Sequence, residues 1–255
     1  MRCFRILFRR IILYTFFLLL ICLVYLSCSE KTTEPDNDDG NNHTVEADTV
    51  SDIDGNVYKT VTIGDQVWMM ENLKVTHFCN GDLIPIITHT NEWADLSGPA
   101  CCGYVNSDSL IKIFGLLYNW YAVSDTRNIS PEEWHVPTDE EWKELEIYLG
   151  MNQSQADTTG ERGTNEGDKL RETGTVHWKM YNFNATNSSG FTALPGGYRF
   201  FYGIFNNLGY LASWWTATEY NSDNAWSRFV SNSYSKVFRS NYPKNYGFSV
   251  RCIKD

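Results

Sequence analysis

The stretch Trp134-His135-Val136-Pro137-Thr138-Asp139-Glu140-Glu141-Trp142-Lys143-Glu144-Leu145 constrains this chain more than any other. It reads as a short buried strand that stops at a proline and turns directly into a capped helix. Thr138 stands at the N-cap with Glu141 at the third helical position, so each side chain reaches the other residue's orphan amide in a capping box. Pro137, just before the cap, is placed to pack on Trp142. Asp139 and Glu140 set negative charge in the first turn, where the helix dipole favours it. Trp142, Leu145 and Leu149 recur at helical spacing, and Gly150 ends the helix. Adjacent carboxylates also suit acid/base chemistry, but a helix start accounts for every one of them.

Residues 1–27 read as an export signal: four arginines (Arg2, Arg5, Arg9, Arg10), an apolar run from Ile11 to Leu26, then Leu26-Ser27-Cys28 and polar sequence. A small residue before cysteine resembles a lipoprotein cleavage site with Cys28 as the lipidated residue, although Tyr25 departs from the usual aliphatic position. An uncleaved membrane anchor is the alternative, marginally short for a span. Both put the domain outside the inner membrane. Removing residues 1–27 takes away four basic groups and no acid, which shifts the net charge from −10 to about −14 and leaves no basic footprint for nucleic acid. Residues 28–50, rich in Glu, Asp, Asn and Thr, bury too little to fold and read as an acidic tether.

Residues 51–255 suffice for one domain with its own core. Ser51 to Asn56 is a turn, and its Asp-x-Asp-Gly lacks the rest of a calcium loop, so a structural calcium stays open only as an alternative. Tyr58–Ile63 and Gln66–Met70 read as a hairpin. The chain from Val75 to Ile113 reads as irregular. Phe114–Val123 reads as a short buried helix. Asn152–Gly174 reads as a long surface loop with a helical turn near Lys169-Leu170. Ser213–Glu219 and Ala225–Val230 read as antiparallel strands, and Gly247–Ile253 as a final core strand. Helices followed by a series of short strands make the fold class α+β.

Five segments in order resemble one family: Ile63-Gly64-Asp65-Gln66-Val67-Trp68-Met69-Met70-Glu71-Asn72-Leu73, Trp134–Trp142, Gly190–Arg199, Ser213–Glu219 and Gly247–Ile253. They are similar to the Fibrobacter succinogenes major paralogous domain, found in bacterial surface and secreted proteins, over about Val50 to Asp255. More distantly, the central stretch resembles the formylglycine-generating-enzyme family. The resemblance implies a C-type-lectin-like fold, with two short helices packed on small antiparallel sheets and long loops. Four exported thiols, Cys79, Cys101, Cys102 and Cys252, point to two disulfides, and a bridge between the adjacent pair would be strained. The family carries cysteines near Cys102 and Cys252, which implies that pair, with Cys79–Cys101 as the second.

The histidines at 43, 77, 89, 135 and 177 form no metal motif, no metal ligand set emerges, and no nucleophile elbow is present. His135 reads as a satisfied core residue. Trp226 to Val250 holds no cysteine, so formylglycine-generating activity is not carried over. The lectin calcium-and-sugar tripeptides are also missing, with Leu194-Pro195-Gly196 and Trp226-Ser227-Arg228 in comparable places. The reading is therefore a surface lipoprotein of the outer membrane that binds an extracellular glycan or protein without catalysis and without a cofactor. A polysaccharide-degrading protein and a structural envelope lipoprotein are the alternatives. Tyr, Asn, Ser, Arg and Trp interleave from Glu219 to Tyr246, a composition shared with antibody paratopes. Tyr220, Asn224, Trp226, Arg228, Tyr234, Arg239 and Tyr242 are accordingly the candidate ligand residues.

Overall fold

The computed structural model describes residues 48–255. The export segment, Cys28 and the tether up to residue 47 lie outside the described residues. In chain order the elements are β1 (Thr49–Ser51), β2 (Val57–Ile63), β3 (Gln66–Met69), α1 (Thr90–Ala94), β4 (Cys101–Cys102), α2 (Asp108–Phe114), β5 (Leu117–Tyr118), α3 (Trp120–Val123), β6 (Trp134–His135), α4 (Asp139–Tyr148), α5 (Gln153–Asp157), β7 (Gly160–Arg162), α6 (Glu166–Leu170), β8 (Tyr198–Arg199), β9 (Phe205–Asn206), β10 (Leu211–Glu219), β11 (Asn224–Ser231), β12 (Tyr234–Pro243) and β13 (Ile253–Lys254). One sheet has the order β1-β2-β3-β13-β6 and another the order β10-β11-β12-β7, with β4-β5 and β8-β9 as small pairs. All of these pairings are antiparallel, so the fold is α+β on antiparallel sheets.

The central stretch folds as its residues dictate. Trp134 and His135 pair with β13, and Thr138 caps α4 in a reciprocal box with Glu141: its side chain accepts from Glu141 N–H at 3.2 Å, and its own N–H donates to Glu141 Oε2 at 2.7 Å. The start of α4 is pinned to β10, because Asp139 N–H donates to Thr218 Oγ1 (2.9 Å) and Ala217 N–H to the Pro137 carbonyl (2.8 Å). On its apolar side Trp142 meets Trp68, Phe191 and Trp214 at ring distances of 5.0, 5.7 and 5.7 Å. These rings lie in the cluster that holds Leu145, Leu149, Trp178 and Val230. A second cluster, around Tyr58, Tyr118, Trp215 and Phe248, lies on the other side of β10.

Several expectations are corrected. Six short helices are described rather than two, and the longest, α4, has 10 residues. Phe114–Val123 is not one helix: Gly115, at φ 76°, breaks the chain after α2, β5 pairs with β4, and α3 starts only where the Asn119 side chain accepts from Ala122 N–H. Asn152–Gly174 is not a free surface loop, since β7 joins the second sheet and Arg162 is buried. Thr49 and Val50, assigned to the tether, pair with Lys59 and Tyr58 and so belong to the domain. β12 is a full strand in a segment read only for its ligand-face composition. The bridges expected for Cys102–Cys252 and Cys79–Cys101 are absent, and all four cysteines are free. Cys102 packs with Trp93 and Leu117 in a third cluster, whereas the Cys252 thiol donates to Ser130 Oγ (3.5 Å) and the Cys79 thiol to the Ser130 carbonyl (2.9 Å).

Thr138→Ala removes one cap and is expected to cost about 1 kcal/mol. Trp142→Ala empties the centre of a packed aromatic cluster and is expected to cost about 3–5 kcal/mol. Urea unfolding of residues 46–255, a compact unit with its own cores, measures both. Equal, small losses would remove α4 from the centre of the fold.

Candidate functional site: an aromatic sheet face

Alternation along β11 and β12 sends their side chains to opposite faces of the sheet. One face carries Trp226, Arg228, Val237 and Arg239 and turns toward α4. Arg228 is fully buried, donating through Nη1 to Asp139 Oδ1 (2.7 Å) and through Nε to Glu146 Oε1 (2.8 Å). Arg239 donates to Asp139 Oδ2 (2.6 Å) and lies 3.7 Å over the Trp226 ring. Burial alone would raise the Asp139 carboxyl, but Arg239 and Arg228 outweigh it and hold the group below its ordinary value.

The candidate ligand residues therefore do not converge. Arg228 and Arg239 are spent on the helix, which corrects their assignment to a ligand face. Trp226 is half-buried between Arg239 and Tyr220, whose ring meets it edge-on at 4.8 Å. Asn224 and Tyr220 lie at the β10–β11 turn, where Asn224 is tied to Asn221. Only Tyr234 and Tyr242 belong to the opposite face, with Phe238.

That opposite face is aromatic and half open. Phe229 and Phe238, cross-strand partners, stack at 4.5 Å and 10°. Tyr234 meets Phe238 at 5.7 Å, Tyr242 meets Phe229 at 6.5 Å, and Tyr246 meets Tyr242 at 5.0 Å. From Tyr246 the rings continue to Phe200 (5.6 Å) and Phe201 (5.7 Å), and Phe200 stacks on Tyr202 at 4.9 Å. Phe201, Tyr202 and Tyr234 are exposed, while Phe229, Phe238, Tyr242, Tyr198 and Phe200 are half-buried. The Lys236–Glu161 ion pair (3.2 Å) lies at the β7 edge of this face.

The tight turn between β8 and β9 presents Phe201 and Tyr202. Gly203, at φ 89°, closes that turn, and a Cβ there would come 2.4 Å from the Thr90 carbonyl oxygen. Arg199, fully buried, fixes the turn by donating to the carbonyls of Gly203 (2.9 Å), Ile87 (2.6 Å), Thr88 (3.2 Å) and His89 (3.1 Å). The phenols crowd one another. Burial first, then the neighbouring Tyr242, Tyr198 and Tyr202, push the Tyr246 hydroxyl up to about 12, and burial raises Tyr198 and Tyr242 as well. The sequence reading missed the 198–202 and 246 rings because they lie on separate loops. The spacing of Tyr234, Phe238 and Tyr242 on one strand face was the available signal.

Other candidate chemistry is committed elsewhere. Asp52 accepts from Asp54 N–H, Asn56 N–H and the Tyr58 hydroxyl, and Asp54 accepts from Thr76 and binds His77, so the Asp-x-Asp-Gly loop is a hydrogen-bonded turn. Among the described residues no group of three His, Cys, Asp or Glu side chains is gathered as a metal would need. A depression of about 550 Å³ between Gly64-Asp65-Gln66 and Glu144-Ile147-Tyr148 is open and shallow. His135 is half-exposed rather than core, and bridges Asp255 (Nδ1, 2.6 Å) and Glu141 (Nε2, 2.8 Å).

Small antiparallel sheets, short helices and long pinned loops define an exposed-loop α+β domain with one open aromatic face. The chain belongs to the Fibrobacter succinogenes major domain family, whose sequence profile matches residues 61–254. No curated protein and no solved structure matches the chain.

His135 supplies a pH test. Burial alone would lower its value, but hydrogen bonds and charge from Asp255 and Glu141 raise it above the ordinary 6.5. A raised folded value means that its stabilisation is fully present below about pH 6.5 and fades as pH rises through that raised value. The stability difference between wild type and His135→Gln should therefore shrink as pH rises from about 6.5 through the raised value. A difference that is flat or grows over that window would break the link.

Proposed function

We propose that this chain is a non-catalytic binding protein of the cell surface whose aromatic sheet face takes an extracellular glycan. The supporting observation is the continuous run of rings from Tyr202 through Tyr246 and Tyr242 to Phe238 and Tyr234, with phenol hydroxyls crowded along it. Aromatic faces match the C–H faces of sugar rings, and phenols add donors and acceptors for sugar hydroxyls at low entropic cost. The exposed rings lie at the two ends of this run, Phe201-Tyr202 and Tyr234, with Tyr246 buried between them, a spacing that suits an extended chain better than a small buried substrate. A C-type-lectin-like architecture belongs to the same proposal, supported by long loops carried on small antiparallel sheets. The binding proposed here runs through rings rather than calcium.

The test is affinity electrophoresis and calorimetry of residues 46–255 against a panel of neutral plant and bacterial polysaccharides. Phe201→Ala combined with Tyr202→Ala is expected to weaken binding about tenfold or more while thermal unfolding stays unchanged. Tyr220→Ala is expected to leave it intact. Unaltered affinity in the double variant would move the site elsewhere, and retention of a protein but no glycan would reassign the face to protein recognition.

We also propose that the protein reaches the surface as a lipoprotein anchored through Cys28, on the strength of Leu26-Ser27-Cys28 after an apolar run. Metabolic labelling with a fatty acid should mark the wild type and not Cys28→Ala. Equal labelling of both would overturn the anchor.

A further inference from the structure

From Thr173 to Ser189 the chain carries no carboxylate, and Lys179 is its only full charge. No carboxylate follows Glu172 until Glu219, so in a chain of net charge −10 this loop lies in a long acid-free run, with Glu172 itself paired to His177 at 2.9 Å. Its backbone is held in an unfavourable shape: Met180 and Tyr181 are consecutive non-glycine residues in the left-handed region, at φ 52° and 48°. Such strain persists only where the surroundings over-determine it. Here they do. Asn182, buried, donates to the carbonyls of Glu172 (2.8 Å) and Gly174 (2.7 Å). Asn232, also buried, donates to the carbonyls of Lys179 and Met180. The Lys179 N–H donates to the Gly209 carbonyl at 2.7 Å, and the buried Trp178 indole to the Ala193 carbonyl at 3.0 Å.

What this scaffold displays is apolar. Val176 and Phe183 are 84% and 82% exposed, and Tyr181 and Met180 are 62% and 57% exposed. The pinned carbonyls and the buried Trp178 keep these side chains from folding back onto the domain. We propose that the loop 174–184 is a membrane-docking element that sets Val176, Met180, Tyr181 and Phe183 into the interfacial region of a lipid bilayer. Three observations select lipid as the occupant. Val176 and Phe183 each stand between polar residues and Met180-Tyr181 form one adjacent pair, so the exposed apolar groups are interrupted by His177, Lys179 and Asn182. A fluid surface accepts such interrupted protrusions where a protein partner needs a contiguous complementary patch. The tip carries Lys179 and no carboxylate, so in an acidic chain it is suited to lie against phosphate headgroups. Tyrosine and lysine beside apolar tips are the residues favoured at the headgroup level. This docking is independent of the glycan face and of Cys28.

The test uses residues 46–255, which lack the apolar N-terminal run, pelleted with vesicles of phosphatidylethanolamine and phosphatidylglycerol in low and high salt. Wild type is expected to pellet in both, and Val176→Asn with Phe183→Asn to partition about tenfold less or lower. Unchanged thermal unfolding certifies that variant, and Met180→Gln, expected to give a smaller loss, decides the matter if the double variant unfolds. Absence of wild-type pelleting, equal pelleting of wild type and variants, or binding abolished by high salt would overturn apolar docking. So would a wild-type dimer, seen by light scattering, that the double variant dissociates.

Discussion

A chain of buried charge, Arg239–Asp139–Arg228–Glu146–Arg162, joins α4 to the β10-β11-β12-β7 sheet, and the rest of the molecule is arranged around it. Each link is short: 2.6 Å from Arg239 to Asp139, 2.7 Å from Arg228 to Asp139, 2.8 Å from Arg228 to Glu146 and 2.7 Å from Arg162 to Glu146. Taking such groups out of water is expensive, and their mutual attraction repays it only when hydrogen bonds use the remaining lone pairs and protons. That compensation is incomplete, since Glu146 Oε2 and Arg162 Nε have no partner. Burial accordingly pulls the Arg162 guanidinium below its ordinary value despite Glu146. The ladder therefore contributes register more than stability. A slip of one residue in β11 or β12 would turn Arg228 or Arg239 away from Asp139.

This constraint decides which side chains face outward. With Arg228, Arg239 and Val237 committed to the helix side, alternation leaves Phe229, Phe238, Tyr234 and Tyr242 on the other. The helix that buries one face frees its opposite, and loops from distant parts of the chain supply the remaining rings. Arg199 performs for the β8–β9 turn what Asp139 performs for the sheet: a buried polar group converts an irregular segment into a fixed one.

The α4 start was legible because its capping chemistry is local: Thr138 and Glu141 lie three residues apart and need no tertiary partner, whereas the pairing of Asp139 with Arg228 and Arg239 left no local signal. The β2–β3 hairpin and the β10–β11 pair were legible through period-two patterning. Arg228 and Arg239 were misread because an arginine among Tyr, Ser and Asn has the same composition in a binding loop as in a half-buried strand. Only pairing shows which way it points. β12 was missed although Tyr234, Phe238 and Tyr242 against Val237 and Arg239 carry the period of two; Ser and Asn between them resemble turns. At Phe114–Val123 a nearly all-apolar run concealed a break at Gly115 and a cap at Asn119, because hydrophobic content alone does not separate a buried strand from a buried helix.

The loops between these elements behave as structure because buried side chains stand in for sheet and helix partners. Asn72 donates to the Phe114 carbonyl (2.8 Å) while its oxygen accepts from the Trp214 indole (2.9 Å) and from Arg251 (3.1 Å). Asn119 accepts from Ala100 N–H (2.9 Å) and donates to the Gly98 carbonyl (2.8 Å) as well as capping α3. Arg251, wholly buried against the Phe191 ring at 4.1 Å, reaches the Phe191 carbonyl, and burial pulls it down to about 9. Each of these groups satisfies backbone that no regular element would satisfy, as buried backbone requires. The tips beyond them, Phe201-Tyr202 on one loop and Val176 to Phe183 on another, are then held by anchors that do not depend on what the tips carry. Surface chemistry at those tips can change without disturbing the anchors, which is how a domain with so little regular structure can hold separate exposed loops in fixed shapes.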